Sequence, residues 1–379
     1  MKIKILQSID ECSSKLWDSL FSTDYPFLKH GFISLLESSG SVSDRTGWTP
    51  KHILLEQNDV PIAAMPLYLK NHSSGEYVFD HSWVNAYHQH GIQYYPKLVT
   101  AIPFTPVTGP RIGIASGINP DLIEQVLLKN IKALAKKWGA SSWHILFPRY
   151  ELLYSIFSQS LMKRVGVQYH WKNHNYSNFD DFIGTFASRK RKNLLKERRK
   201  STENINVTRL VGEEITADWW EFMCSVYHQT YLKRNGTHGY LTQKFFENIG
   251  DVLGSQIMLS VAEAKDNSGG KKIASALFFF DDNALYGRYW GCNAEYEFLH
   301  FELCYHQGIE FSIEKKLSYF DAGAQGEHKI SRGFVPIEVY SSHWIEHPDF
   351  SDAIQKFLNQ EEIHVKEYIN LASKKLPYK

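Results

Sequence analysis

The residues best suited to chemistry are concentrated in one polar, glycine-rich stretch from Phe320 to Phe334. It holds two carboxylates, an imidazole and two cations: Asp321, Glu327, His328, Lys329 and Arg332. Carboxylates and imidazoles take a proton from an attacking amine near neutral pH, and we expect Glu327 or His328 to be such a base. Lys329 and Arg332 can hold a phosphate or a carboxylate. So polar a loop after a buried strand is costly to order unless it binds a ligand, so we interpret it as a binding loop rather than an ordinary surface loop.

A second signal is the basic segment from Ser188 to Lys200. It has eight basic residues and one acidic residue, whereas the whole chain has a net charge of only +1. On a helix, four of the cations share one face: Arg189, Lys192, Lys196 and Arg199. We expect Arg189, Arg191 and Lys192 to contact an anion, which is a cofactor pyrophosphate, a nucleic-acid backbone or an anionic lipid. The alternative is a solvated helix face.

A third signal lies between Leu285 and Asn293, where a strand is followed by a glycine. A glycine turn leading into a helix exposes backbone N–H groups, which favour a pyrophosphate or carboxylate. We therefore expect Gly291 and Asn293 to form a phosphate-binding turn with Arg288 beside it; a simple strand-to-helix turn is the alternative. Glu302, in the helix that follows, is a further candidate base.

The elements that must position these residues alternate between helices and strands. Each half is predicted as helix, antiparallel strands, helix, strand, helix and strand, with a helix reaching about Arg164 in the first half. The 379 residues, 43% hydrophobic, suffice for two cores, and the polar segment from Lys172 to Ser177 separates them. We predict an α/β (α+β) chain with domains at residues 1–173 and 174–379. No nicotinamide or P-loop fingerprint occurs.

Other patterns exclude several classes of protein. His81, His88 and His90 lack an acid or cysteine at a recognisable ligand spacing, so we expect no metal site. The four cysteines include no CxxC pair and are predicted to be reduced thiols. The N-terminus reaches Asp10 before any long apolar segment forms, and no stretch is apolar enough for a membrane helix. We expect a soluble, cytoplasmic protein.

Taken together, several segments resemble the bacterial peptidoglycan biosynthesis/recognition proteins, a FemAB-like branch of the GNAT acyltransferase superfamily. The resemblance covers nearly the whole chain, and the run Gly323–Lys329, with Gln325 and Gly326, is its most specific part. The other segments are Gly75–Asp80, Tyr94–Leu98, Pro103–Pro106, Ser188–Asn193, Leu285–Gly291, Leu299–Glu302 and Arg332–Pro336. Arg288 to Asn293 also matches the first four positions of the GNAT pattern Q/R-x-x-G-x-G/A and ends in Asn.

The resemblance implies two tandem GNAT-like domains, each a mixed, mostly antiparallel sheet flanked by helices, with the working site in or near the second. It also implies transfer of an acyl or aminoacyl group to an amine, in which Gly323, Gln325 and Gly326 belong to the donor-binding loop. The donor is an acyl-CoA or an aminoacyl-tRNA, with no tightly bound cofactor.

The resemblance implies a small molecule or a cell-wall precursor as the acceptor, and we expect the basic segment to be a contact for tRNA if the donor is aminoacyl-tRNA. The base is Glu302, Asp321, Glu327 or His328. A non-catalytic module that holds a peptidoglycan precursor or a nucleic acid is the alternative.

Overall fold

The computed structural model describes residues 1–265, 270–324 and 326–379, so Gln325 lies outside the described residues. The chain divides into two compact units. Unit 1 comprises Met1–Val167 and Glu338–Tyr368, and unit 2 comprises Gln168–Ile337 and Ile369–Lys379. The predicted boundary at residues 173 and 174 assigned the whole C-terminal part to the second domain, whereas 338–368 lies in unit 1.

The strands are β1 (Lys2–Leu6), β2 (Trp48–Pro50), β3 (His52–Gln57), β4 (Val60–Met65), β5 (Tyr68–Lys70), β6 (Lys97–Thr100), β7 (Gly113–Ile114), β8 (Ser142–Leu146), β9 (Met162–Lys172), β10 (Ile205–Val211), β11 (Ile257–Ala264), β12 (Lys272–Phe280), β13 (Ala284–Cys292), β14 (Tyr319–Asp321) and β15 (Val335–Ile345). The α-helices are α1 (Ser14–Phe21), α2 (His30–Ser38), α3 (His81–Gln89), α4 (Pro120–Lys137), α5 (Phe179–Gly184), α6 (Ser188–Ser201), α7 (Ala217–Asn235), α8 (Gln243–Leu253), α9 (Leu299–Phe301), α10 (Gln307–Glu314) and α11 (Pro348–Ser373). A π-helical turn, Glu302–His306, joins α9 to α10.

Unit 1 is built on two sheets. One has the antiparallel order β1-β3-β4-β7, and in the other β15, β8, β6, β5 and β2 follow one another, with only the β6/β8 pair parallel. Asn119 caps α4 by accepting from the Asp121 amide, and Pro120 occupies its first turn. The helical spacing of Ile123, Leu127 and Ile131 buries them in a core with residues from both sheets, including Ile53 and Trp143.

Unit 2 has one sheet in the order β10-β11-β12-β13-β14-β9. Its neighbouring strands are antiparallel except β13 and β14, which are parallel for three residue pairs. Helix α7 packs on β12 and β13 so closely that a Cβ on Gly291 would lie 2.2 Å from the Val226 carbonyl oxygen. The glycine therefore allows the helix to approach the strand.

These elements confirm the predicted fold class of mixed α/β units with mostly antiparallel sheets. The helix predicted to reach Arg164 is wrong, because short 3-10 turns occupy Tyr150–Tyr154 and Ile156–Gln159 and β9 already begins at Met162. Val165 and Val167 are β-branched and favour the strand. No helix in the described ranges is long and apolar enough to cross a membrane.

A buried charge network lies inside unit 1. The Lys97 ammonium donates to Glu76 at 2.7 Å, to Asp80 at 2.5 Å and to the Ser73 hydroxyl at 2.8 Å. Lys97 is fully buried, and both carboxylates are nearly so. Buried ions are stable only when they are paired, so these three charged side chains must stay together. The network therefore holds β6, which carries Lys97, against the segment that leads into α3.

We predict that Lys97→Met lowers the free energy of unfolding by about 3–5 kcal/mol, because it leaves the buried Asp80 without its cation and Glu76 with only Lys70, 3.8 Å away. Lys136→Met is the matched control, since the Lys136–Glu346 pair is 3.6 Å long and its lysine side chain is 65% exposed. The control substitution should lower the free energy of unfolding by less than about 1 kcal/mol. Urea unfolding monitored by tryptophan fluorescence checks both values, and equal losses in the two variants would contradict the assignment.

Candidate functional site

The site in unit 2 begins where β13 and β14 separate. Their pairing ends at Tyr286 and Asp321, and beyond it β13 continues to Cys292 while β14 turns into the loop. Within the described part of the chain, no strand pairs with that edge of β13 from Gly287 onward. The strand therefore offers an open edge at which an extended ligand can form backbone hydrogen bonds.

Arg288 lies on this stretch at a β-bulge. Leu277 of β12 faces Tyr289 and the next residue, Phe278, faces Gly287, so that Arg288 is the extra residue. A bulge bends the strand and redirects side chains, and bulges occur often beside active sites. Arg288 is partly exposed, and its charge acts on Lys329.

The loop after β14 is anchored by buried polar groups. The Asp321 carboxylate accepts from the Gly323 amide at 2.8 Å and lies 3.6 Å from His170. The Lys329 ammonium donates to the Gly323 carbonyl at 2.6 Å and is almost wholly buried. Gly323 adopts φ +87°, a conformation that favours glycine. Lys329 and Asp321 therefore hold the turn at Gly323 from both sides.

Lys329 has an unusual proton affinity. Burial lowers its pKa to about 8, and the nearby Asp321 carboxylate opposes this decrease. The positive charge of Arg288 contributes to the same decrease of the pKa. The amine therefore carries a proton at pH 7 and loses it in mildly alkaline solution.

His328 lies on the 3-10 turn Glu327–Arg332 and remains accessible to solvent. Its Nε2 is 2.8 Å from the Tyr305 hydroxyl. A Cβ on Gly326 would lie 2.4 Å from the imidazole, so this position must be glycine for the ring to occupy its place. Partial burial lowers the pKa of His328 to about 4, and the charges of Lys329 and Arg332 contribute. The imidazole is therefore neutral at pH 7.

Arg332 stabilises the 3-10 turn that carries His328. Its guanidinium donates to the His328 carbonyl at 2.8 Å and to Glu197 at 2.6 Å, and it lies 3.4 Å from the centre of the Phe301 ring. Glu197 belongs to the basic helix α6. Arg332 is 5% exposed and connects α6, α9 and the loop.

The predicted base Glu302 is enclosed. It opens the π-helical turn, accepts from Gln307 at 2.8 Å and from Arg198 at 3.1 Å, and is 1% exposed. Burial raises the pKa of Glu302, while Arg198 acts against the increase. Asp321 is equally buried, whereas Glu327 lies on the surface 3.8 Å from Lys375. Of the four predicted bases, His328 and Glu327 are therefore the accessible ones.

Helix α6 displays its cations to solvent. Seven of its eight basic residues are exposed: Arg189, Lys190, Arg191, Lys192, Lys196, Arg199 and Lys200. Leu194 and Ser201 are its buried residues. The eighth cation, Arg198, pairs with Glu302 and with Glu310 at 2.7 Å. The face with Arg189, Lys192, Lys196 and Arg199 is thus a stripe of exposed positive charge.

The prediction of a turn at Gly291 and Asn293 that leads directly into a helix is wrong. Gly291 lies within β13, and the next helix begins only at Leu299. Asn293 continues the hairpin, because its amide donates to Ile273 at 2.9 Å and its side chain to Lys272 at 2.8 Å. The glycine resembled a phosphate-loop residue, although close packing against α7 already accounts for it.

Two residues of the site were missed by the sequence analysis, Tyr305 and Arg198. Arg198 lies in the basic segment that the sequence analysis singled out, and Tyr305 follows Glu302 by three residues on the same helical segment. Their partners are distant in sequence, which is why spacing alone did not reveal them. In the described residues, no group of three or more His, Cys, Asp or Glu side chains is arranged to hold a metal ion.

We predict that Gly291→Ala lowers the free energy of unfolding by about 1–3 kcal/mol, because the new methyl group collides with the α7 backbone. Gly184→Ala, at the end of α5, is the matched control, since a Cβ there meets nothing within 4 Å. Thermal unfolding of the two variants measures the difference. A Gly291→Ala protein of unchanged stability that no longer binds its donor would instead favour a phosphate-binding glycine.

Both units have mostly antiparallel sheets with helices, and in the second a strand edge that no described strand pairs with lies beside a cationic loop. The model of the FemAB-like family, described as peptidoglycan biosynthesis/recognition, matches residues 8–379. The chain belongs to this family, as the resemblance predicted.

Solved structures share the fold. The crystal structure of FemX has 12% sequence identity and a TM-score of 0.55, and the match covers 94% of this chain and 100% of that one. The C-terminal domain of a putative lysylphosphatidylglycerol synthetase from Agrobacterium fabrum has 11% identity and a TM-score of 0.53, with 92% and 96% of the two chains covered. At these identities the likeness concerns the fold alone. No curated protein sequence matches the chain.

Proposed function

We propose that the protein is an N-acyltransferase that moves an aminoacyl or acyl group from a carrier to an amine. The observation that carries the proposal is the open edge of β13 beside the cationic loop that holds Lys329 and Arg332. An extended acyl carrier can pair with the strand edge, while Arg288 attracts its phosphate. Membership of the FemAB-like family supports the same class of reaction.

The exposed stripe on α6 favours aminoacyl-tRNA over acyl-CoA as the donor. A coenzyme has few phosphates, whereas a tRNA backbone presents many at regular spacing. Seven exposed cations on one helix suit the longer polyanion. A cell-wall precursor with a free amine is the acceptor that the family suggests. The helix and the strand edge both belong to unit 2, so one unit can hold the carrier and its reactive end.

In the proposed reaction, the acceptor nitrogen attacks the carbonyl carbon, a C–N bond forms, and the ester or thioester bond to the carrier breaks. His328 takes the amine proton and returns it to the leaving oxygen or sulfur. In the tautomer with hydrogen on Nε2, His328 donates to the Tyr305 oxygen and its Nδ1 is the accepting atom. Backbone N–H groups of β13 stabilise the oxyanion.

The donor class is tested by thermal-shift titration with deacylated tRNA and with acetyl-CoA at several salt concentrations. We expect tRNA to stabilise the protein, by about 2.7 kcal/mol at a hundredfold excess over Kd. The double variant Lys192→Ala/Lys196→Ala should make the slope of log K for tRNA binding against log salt concentration shallower. The expected change is about 0.7–0.9 for each phosphate that is no longer neutralised. Lys315→Ala/Lys316→Ala is the matched control with two exposed lysines at the end of α10. Stabilisation by acetyl-CoA alone would reassign the donor, and no response to either would favour a recognition module.

The reaction is tested by mixing labelled aminoacyl-tRNA with a nucleotide-linked muramyl peptide that has a free amine. We expect label in an amide product, and an increase in KM as the pH rises through about 8, because Lys329 then loses the charge that attracts the carrier. Lys329→Met should increase KM about tenfold at pH 7 and abolish this pH dependence. Lys316→Met is the control. A KM that rises with pH in Lys329→Met as it does in the wild type would contradict the role of Lys329.

A further inference from the structure

Unit 1 contains a cavity of about 420 Å³ that the proposed transfer does not use. This volume lies within the range of about 300–1,000 Å³ that is usual for small-molecule sites. The wall is formed by the 3-10 turns after β8, the first residues of β9, alternate residues of β15 and one face of α11. All of these residues belong to unit 1.

Two tyrosines give the cavity an aromatic wall. The Tyr150 and Tyr340 rings are 5.6 Å apart and inclined by 50°, and Tyr150 is 52% exposed. Leu153, Leu161 and Met162 are the buried apolar members of the lining. A ligand in this cavity would therefore contact both an aromatic face and an aliphatic surface.

Polar groups stand beside the aromatic pair. Glu338, Tyr340 and Ser342 alternate along β15, so their side chains share one face of the strand. The Tyr340 hydroxyl donates to the Glu338 carboxylate at 2.7 Å, which orients both the ring and the acceptor. From α11, Gln355 adds an amide held by Asn359 at 2.9 Å. Donors and acceptors are thus arranged around an aromatic face.

The charges of the lining balance. Lys163 and Lys366 share the single carboxylate of Glu362, at 2.9 and 2.6 Å, which leaves one positive charge that the Glu338 carboxylate offsets. The Glu338 carboxylate adds one negative charge to the wall. A phosphate or a free carboxylate would gain little here and would be repelled by Glu338. The lining therefore favours a ligand that is polar and uncharged.

We propose that this cavity binds an uncharged pyranose sugar. One face of such a ring is rich in C–H groups and stacks on tyrosine, whereas its hydroxyl groups need the closely spaced acceptors and donors that Glu338, Ser342 and Gln355 supply. The aliphatic members of the lining can accept a methyl group, as in an N-acetyl substituent. This site stands apart from the proposed function and does not depend on acyl transfer in unit 2.

The test is isothermal titration of the full-length protein with N-acetylglucosamine, its β-1,4-linked dimer and, for comparison, cellobiose and uridine diphosphate. We expect the neutral sugars to bind in the millimolar range or tighter and the dimer to bind more tightly than the monomer. Tyr150→Ala and Glu338→Gln should each weaken binding about tenfold. Tyr340→Phe, which keeps the ring and removes the hydroxyl group that orients Glu338, should weaken it several-fold.

Phe79→Ala is the matched control, because Phe79 is an aromatic residue of unit 1 that is 56% exposed and lies outside the lining. It should leave sugar binding unchanged. Absence of binding by every neutral sugar at about 20 mM would overturn the proposal, as would binding that survives in both Tyr150→Ala and Gln355→Ala. Preference for uridine diphosphate would overturn the choice of an uncharged ligand. The tyrosine and glutamine variants should have the same melting temperature as the wild type, so that a loss of binding reflects the loss of the site and not unfolding.

Discussion

The separation of β13 from β14 after three residue pairs is the constraint on which the candidate site depends. A parallel pair that continued would satisfy the edge of β13 and would carry the chain past Asp321 as strand. Because β14 ends there, no strand of the described residues pairs with this edge of β13 from Gly287 onward, and the loop with Lys329 begins beside it. The bulge at Arg288 bends the same stretch of β13 and interrupts its regular pairing with β12.

The loop holds its shape through charges that are costly to bury. Asp321 and Lys329 lie on either side of Gly323 and each binds its backbone, so neither ion loses water without gaining a partner. The cost is visible in the lowered pKa of Lys329. The neutral state of His328 has the same main cause, since partial burial lowers its pKa and two cations of its own turn add to the decrease. The arrangement therefore places a neutral imidazole among positive charges.

The sequence predicted the elements better than their contacts. The signals that form α4, the cap at Asn119 and the spacing of Ile123, Leu127 and Ile131, are local in the sequence, and the basic segment is helical, as its pattern of cations assumed. The polar loop was singled out from its composition, and its role in binding stays a prediction. Gly291 lies within β13 and not in the expected turn, because a glycine required by packing against α7 and a glycine of a phosphate loop have the same local pattern. Its contact with the donor stays a prediction. The Arg198–Glu302 pair joins residues 104 positions apart, and no local pattern encodes such a contact.

That pair explains why one cation of α6 differs from the other seven. Arg198 bridges Glu302 and Glu310 and rests 4.4 Å from the Phe179 ring, so the helix is fixed to the π-helical turn by a partly buried ion pair. Arg332 makes a second connection through Glu197. The turn also carries Tyr305, the partner of His328. The exposed stripe on α6 and the His328 imidazole are attached to the same π-helical turn. A polyanion bound along α6 therefore has a fixed position relative to the loop. Group transfer from an extended carrier requires such a fixed position of its reactive end.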